Sequence, residues 1–221
     1  MIRVIIITLF AFLGVLMADD ILKSSEENVE FFFEVIKNRR SVREFKPDQV
    51  PKQDIIKLLD AARMAPTSGN QQPWKFVVVQ DKDQINKLRE ISMRLAEESY
   101  RKNNLTEIEI TERLSKKQEY YDIIFSAPTF IVVLTDDEST WPSYNIHDGP
   151  LAAENLILAA RALGYGTVYM TDSISVAASH EAFNIPETFT RVCMIPLGIP
   201  VEWPEVHEKK ALEEFIIWET F

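Results

Sequence analysis

Apolar positions along this chain alternate between a helical and an extended period. Val29, Phe32, Phe33 and Ile36 recur at helical spacing in residues 24–40, behind Ser24 or Ser25 as a cap and acidic Glu26 and Glu27 in the first turn. A polar stretch from Asn38 to Gln49 follows. Pro51 then opens a second helix with the stripe Ile55, Ile56, Leu58, Leu59 and Ala62, and Pro66 stops it. Lys75 to Gln80 reads as a buried strand through Phe76, Val77, Val78 and Val79. Asp83 is positioned to cap a charged helix to about Arg101, and polar residues 102–118 form a mobile lid or an exposed helix. In the second half, strands are expected at Thr129–Thr135, Tyr165–Thr171 and Thr190–Leu197. Helices are expected from about Gly149 to Leu163, stopped by Gly164, and from a cap at Ser173 or Ser175 to near Pro186. Asp136–Pro142 is an acidic loop. Interleaved strands and helices imply an α/β or α+β sheet covered by helices.

The apolar run Val4–Ala18 stands apart. It follows Arg3, ends at Asp19-Asp20, and is shorter than the roughly 20 residues of a membrane helix. Its length suits the apolar region of an export signal; a short membrane anchor and a buried N-terminal helix are the alternatives. Residues 1–23 are therefore set apart from a folded domain at 24–221. Export or anchoring is the expectation for location, cytoplasmic residence the alternative, and membrane contact is expected only through residues 4–18.

Composition narrows the function classes. Hydrophobic residues make up 46% and charged residues 26%, which is ordinary for a globular chain. The formal net charge of −10 disfavours nonspecific nucleic-acid binding, which depends on neutralising phosphates, yet leaves room for a local basic site. The single cysteine, Cys193, lies in an apolar run and reads as a core residue; His147, His180 and His207 are scattered, and no metal-ligand spacing is present.

Three segments carry candidate chemistry. Arg39-Arg40-Ser41-Val42-Arg43 places guanidinium forks and a hydroxyl together, a donor set that suits an oxyanion, although basic residues after a helix also complement its dipole. Ala65-Pro66-Thr67-Ser68-Gly69-Asn70-Gln71-Gln72-Pro73-Trp74 supplies backbone groups, amides and an aromatic plane, the inventory for a planar heterocycle; a plain helix-to-strand connection with Trp74 in the core is the alternative. Lys209 and Lys210 in the charged tail either complete the anion site or belong to a solvated run.

Taken together, these segments resemble the FMN-dependent nitroreductase family. The likeness rests on Arg39–Phe45, on Leu59–Val79, on Asp148–Thr167, on Pro196-Leu197-Gly198-Ile199-Pro200, and on the Lys-Lys-Ala-Leu-Glu-Glu tail, so it spans about residues 28–215. It implies an α+β fold with a central mixed four- to five-stranded sheet covered by helices, in an intertwined homodimer with FMN at the interface. Arg39, Arg40 and Ser41 would hold the phosphate and ribityl end, and Arg43 the pyrimidine edge. Pro66, Thr67, Ser68 and Asn70 would reach a flavin bound mainly by the other subunit. Tyr169, Met170 and Thr171 would pass beside N5, and Lys209 and Lys210 would return to the phosphate, where the family usually has an arginine. The implied activity is a ping-pong transfer from NAD(P)H to a small-molecule acceptor such as a nitroaromatic or quinone, with Arg43 and Thr171 as the catalytic candidates and no metal.

Two alternatives accompany this reading. One is reductive dehalogenation, as in the related iodotyrosine deiodinases, which grip an amino acid with a glutamate, a tyrosine and a lysine; Glu97, Tyr100 and Lys116 or Lys117 lie in the corresponding region. The other is a flavin-binding protein without catalysis. The nicotinamide preference is open, because no Rossmann fingerprint is present.

Overall fold

A computed structural model of the chain describes residues 25–221. The apolar segment 4–18, with its export or anchoring role, lies outside the described residues. Among those described, no helix is long and apolar enough to cross a membrane. The described residues fall into two units, residues 25–38 and residues 39–221.

In the first unit the described part is α1 (Glu26–Asn38), with Glu26 and Glu27 in its first turn. The Ser25 hydroxyl accepts a hydrogen bond from the Asn28 amide at 3.2 Å, so Ser25 is the cap. Val29, Phe31, Phe32, Phe33 and Ile36 are exposed.

The second unit is built on a sheet of β1 (Trp74–Val79), β2 (Thr129–Asp136), β3 (Gly166–Thr167) and β4 (Phe189–Gly198), in the order β1-β2-β4-β3. All of these strand pairs are antiparallel, and the parallel component of the expected mixed sheet is the single bridge between Ser41 and Thr167. β2 is apolar throughout because both of its faces are covered. Phe130, Val132 and Leu134 share one core with α3 (Lys82–Lys102), α4 (Glu107–Ile124) and α6 (Val176–Phe183). Ile131 and Val133 share the other with α2 (Lys52–Ala62) and α5 (Asn145–Ala162).

Several boundaries differ from the sequence expectation. Asp81, not Asp83, caps α3, accepting from the Gln84 amide at 2.9 Å. Residues 102–118 are largely helical: Thr106 and Glu109 form a capping box, and Ile110 is buried. The strand expected at Tyr165–Thr171 is broken. Only Gly166–Thr167 pair regularly with β4, and the chain rejoins it at Met170 opposite Met194. α5 begins at Asn145 and carries Pro150 inside it, so the Ile146 carbonyl lacks its usual helical donor. Ser175 rather than Ser173 caps α6, which ends at Phe183 with Asn184 in the left-handed region.

Candidate functional site

The basic segment runs in extended form beside the far end of the sheet. The Val42 amide donates to the Thr167 carbonyl at 2.9 Å, the Lys46 amide to Ile199 at 2.8 Å, and Val42 and Phe45 are buried. Anchored at alternate residues, the strand leaves Arg39 and Ser41 half-buried and Arg43 exposed. Arg40 donates to the Arg39 carbonyl at 2.7 Å and Arg43 to the Ser41 carbonyl at 3.2 Å. Among the described residues, neither Arg39 nor Arg43 forms an ion pair with a carboxylate. In a chain of net charge −10, Arg39 and Arg43 are thus cations without an acidic counterpart among the described residues.

Residues 66–72 are organised very differently. Three residues have positive φ: Gly69 at 57°, Asn70 at 55° and Gln72 at 49°. A Cβ on Gly69 would also come within 2.9 Å of the Trp141 Nε1. The buried Asp148 carboxylate holds this loop, accepting from the Ser68 amide at 3.1 Å and from Gln71 Nε2 at 2.7 Å. Gln71 Oε1 in turn accepts from the Trp141 amide at 2.7 Å, and Asn145 ties the network to the Asp136 carbonyl at 2.8 Å. Gln72 donates from its amide to the Thr67 hydroxyl and from Nε2 to Asn70. Among the described residues, the Ser68 hydroxyl and the Asn70 Nδ2 make no hydrogen bond.

Tyr169, Met170 and Thr171 continue from the strand that pairs with Ser41. Met170 exchanges backbone hydrogen bonds with Met194, at 3.1 and 2.9 Å, and its buried sulfur accepts from the Tyr120 hydroxyl at 3.6 Å. It therefore fastens the segment, and the groups turned outward are those of Tyr169 and Thr171. Tyr169 lies beside buried Cys193, and burial pushes both the phenol and the thiol up to about 12, so both are neutral at physiological pH. Tyr169 also lines a cavity of about 420 Å³ together with Ile146, Pro150 and Val192, at the place where Pro150 interrupts α5.

These segments do not close into one pocket within a chain. Tyr165 donates to Asp54 at 2.7 Å, Asn155 to the Ala61 carbonyl at 3.2 Å and the Ser68 amide to Asp148 at 3.1 Å, so α2 and α5 run antiparallel. The basic segment sits where Thr167 pairs with Leu197 and Leu197 with Thr129; the 66–72 loop precedes Trp74, which pairs with Thr135. The length of β2, roughly 24 Å at about 3.4 Å per residue, separates them. Lys209 and Lys210 are exposed on the irregular tail and make no hydrogen bond or ion pair among the described residues.

A profile of the nitroreductase family matches residues 36–199, a span that contains both the basic segment and the Asp148-held loop. The chain belongs to the nitroreductase family. As a family member it is 29% identical over 77% of its length, and 78% of the relative's, to a Methanothermobacter thermautotrophicus protein with the provisional name NADH dehydrogenase/NAD(P)H nitroreductase. It is 26% identical to an iodotyrosine deiodinase of Thermotoga neapolitana, over 78% of this chain and 90% of the other. Its fold matches that of a crystal structure of oxidised iodotyrosine deiodinase bound to FMN and 3-iodo-L-tyrosine, with a TM-score of 0.68, 24% identity, and coverage of 86% of this chain and 100% of that one.

Within this nitroreductase-family fold, Glu97, Tyr100 and Lys117, three of the four residues weighed for an amino-acid clamp, the fourth being Lys116, have partners of their own. Glu97 pairs with Arg101 at 2.9 Å, and the Arg113 guanidinium lies 5.7 Å from the centre of the Tyr100 ring. Lys117 points inward to the Ser173 carbonyl at 3.3 Å and over the Tyr121 ring, where burial lowers its pKa. Sequence reasoning did not single out Asp148, Gln71, Trp141 or Arg191. For the first of these, the available signal was its place on the stripe with Gly149, Ala152, Leu156 and Ala160, which face inward.

Proposed function

We propose that this chain is an FMN-dependent oxidoreductase that takes reducing equivalents from NAD(P)H and delivers them to an organic acceptor such as a nitroaromatic or a quinone. The observation that carries this reading is the anion-ready run Arg39-Arg40-Ser41-Val42-Arg43, hydrogen-bonded directly to the strand that leads to Tyr169 and Thr171. The donor set fits FMN. The guanidinium forks of Arg39 and Arg43, which form no ion pair among the described residues, suit a phosphate, and the neighbouring extended segment offers a phenol, a hydroxyl and backbone groups to a planar ring. The FMN in the iodotyrosine deiodinase crystal structure adds support at the level of the fold.

Arg39, Arg40 and Ser41 would hold the phosphate and ribityl end, with Lys209 and Lys210 adding positive charge, and Arg43 would hold the pyrimidine edge. Bound there, FMN supplies a two-electron carrier that a nicotinamide reduces and an acceptor reoxidises. Arg43 places positive charge where negative charge develops during reduction. Thr171 presents a hydroxyl for hydrogen bonding. The Asp148–Gln71 network fixes the 66–72 loop so that Pro66, Thr67, Ser68 and Asn70 keep one conformation for the ligand.

The active form is a homodimer with FMN at the interface. The roughly 24 Å between the basic segment and the 66–72 loop supports a site made from the basic segment of one copy and the loop of another. Exposed Phe215, Ile216, Ile217 and Trp218 in the tail give such an interface apolar surface to cover. The engagement of Glu97 with Arg101 and of Lys117 with the Ser173 carbonyl supports the reductase over a dehalogenase. The test is one absorbance spectrum of the purified protein before and after NADPH. A flavin spectrum that bleaches, and recovers on adding a nitroarene or quinone, is expected; a colourless protein that takes up no FMN in a fluorescence titration contradicts the proposal. A flavin spectrum untouched by NADH and NADPH marks a flavin-binding protein without this catalysis.

A further inference from the structure

Arg191 is a buried cation that neither the fold nor the proposed reaction explains. It is 6% exposed and lies in β4. The β2–β4 register slips between Val133, which pairs with Cys193, and Leu134, which pairs with Arg191, so Val192 is the extra residue of a bulge. The bulge breaks the alternation of the strand. Val192 and Cys193 both pack towards the core that holds α5, and Arg191 swings to the opposite face, towards α6.

There the guanidinium binds four acceptors on one short stretch of chain. It donates to the Thr171 carbonyl at 2.5 Å, the Ile174 carbonyl at 2.7 Å, the Ser175 carbonyl at 3.1 Å and the Ser179 hydroxyl at 3.2 Å. Its Nε is buried without a partner. Among the described residues, no carboxylate lies within ion-pair distance of it; Asp172, Cys193 and Tyr121 are the titratable groups around it, and the last two are neutral at physiological pH. The charge also sits at the N-terminus of α6, the positive end of that helix. A cation that is buried, has Asp172 near it but no carboxylate within ion-pair distance among the described residues, and faces a helix N-terminus is costly to hold there. A neutral amide at this position offers only two N–H donors against the four bonds made here, so the clamp and the charge are separate contributions of Arg191.

The stretch that Arg191 holds begins at Thr171, directly after Tyr169 and Met170. We infer that Arg191 is a positioning residue whose buried charge, fixed behind the Tyr169–Thr171 segment, favours the electron-rich form of the group bound against that segment. The inference rests on the FMN reading above. Two-electron reduction adds negative charge to the bound flavin, and a fixed positive charge that water does not screen lowers the free energy of that state relative to the oxidised one. Thr171 and Ser175 hold the charge in place through their carbonyls.

The experiment is an equilibrium reduction of the purified holoprotein with dithionite against a reference dye, together with the dissociation constant for oxidised FMN from fluorescence. Arg191→Gln removes the charge and keeps donors; Arg191→Met removes both; Arg191→Lys keeps the charge but not the fork. The neutral variants should lose about ten-fold in the ratio of reduced to oxidised FMN affinity, the scale of one unit charge acting through protein over roughly 10 Å, which makes the two-electron potential about 30 mV more negative. Arg191→Lys should stay within about two-fold of the wild type in that ratio. A wild-type potential in folded Arg191→Gln overturns the inference, and so does a shift in Arg191→Lys equal to that in Arg191→Gln, since a hydrogen-bonding clamp alone would then explain the residue. Should Arg191→Met fail to fold by circular dichroism, the comparison of Gln with Lys still decides. A wild-type protein that binds no FMN fails at the titration step, before any potential is measured, and overturns the cofactor reading itself.

Discussion

The basic segment 39–43 and the loop 66–72 are both site candidates, yet they are built on opposite principles. The first is an extended strand whose backbone is anchored while Arg39 and Arg43 form no ion pair among the described residues. The second is a tight loop whose side chains mostly bind one another and Asp148, with three residues in left-handed conformations. One region contributes charge and the other contributes shape. Damage to the first should therefore alter ligand binding with little change in folding, whereas damage to the second should register in stability before any ligand is added.

The largest expected effect is on the charged side. Arg39→Ala should weaken FMN binding roughly 10- to 150-fold, the worth of about 1.5–3 kcal/mol for one hydrogen bond to a charged group. The same variant should unfold within about 0.5 kcal/mol of the wild type in a denaturant titration, because Arg39 has no ion-pair partner to lose. An equal loss of stability and affinity would erase the contrast between the regions.

Asp148→Ala probes the other side. It strands the Ser68 amide and the Gln71 side chain, and an unsatisfied buried group costs about 1–3 kcal/mol. Thermal unfolding of the FMN-free protein should show that loss, and amides at 67–72 should exchange faster. An unaltered melting temperature would mean that the loop keeps its shape without the carboxylate. Gly69→Ala should cost less, about 1–2 kcal/mol, from its positive φ. Adding Trp141→Ala should recover the part due to the 2.9 Å approach, measured as a double-mutant cycle.

The smallest effect concerns the pair that aligns α2 with α5. The hydrogen bonds from Lys57 and then Tyr165 hold the Asp54 carboxyl below its ordinary value of 3.8. A carboxyl lowered in the folded state contributes stability above its unfolded pKa and loses it as pH falls through the folded one. Tyr165→Phe should therefore be slightly less stable than the wild type at neutral pH, with the difference shrinking below about pH 4. A difference that grows in acid would contradict this origin.

The contrast between the regions also marks what the sequence revealed. The basic segment was legible because its residues are neighbours in the chain. The network around the loop was not, since Ser68 and Asp148 meet across 80 positions and Gln71 and Trp141 across 70. α5 was expected only from about Gly149, and the four residues before it, including Asn145, were left outside it, because proline favours the first turn of a helix yet Pro150 lies inside this one. The run of aromatic and β-branched residues in 165–171 concealed a strand that leaves β4 and rejoins it. The bulge that redirects Arg191 depends on pairing with β2 and leaves no local mark. The helices α2 and α3 and the strands β1, β2 and β4 were legible to within a few residues, because periodicity and turn residues agreed along each of them.

A site shared between two copies is tested by mixing Arg39→Ala and Asn70→Ala chains carrying different tags, then isolating the heterodimer. If the basic segment of one chain and the loop of the other hold each FMN, the heterodimer has one intact site and one doubly damaged site. It should then bind about one FMN per dimer with wild-type affinity, although each parent homodimer binds weakly. Two equally weakened sites in the heterodimer, or a monomer that retains FMN fully at micromolar concentration, would contradict the shared site.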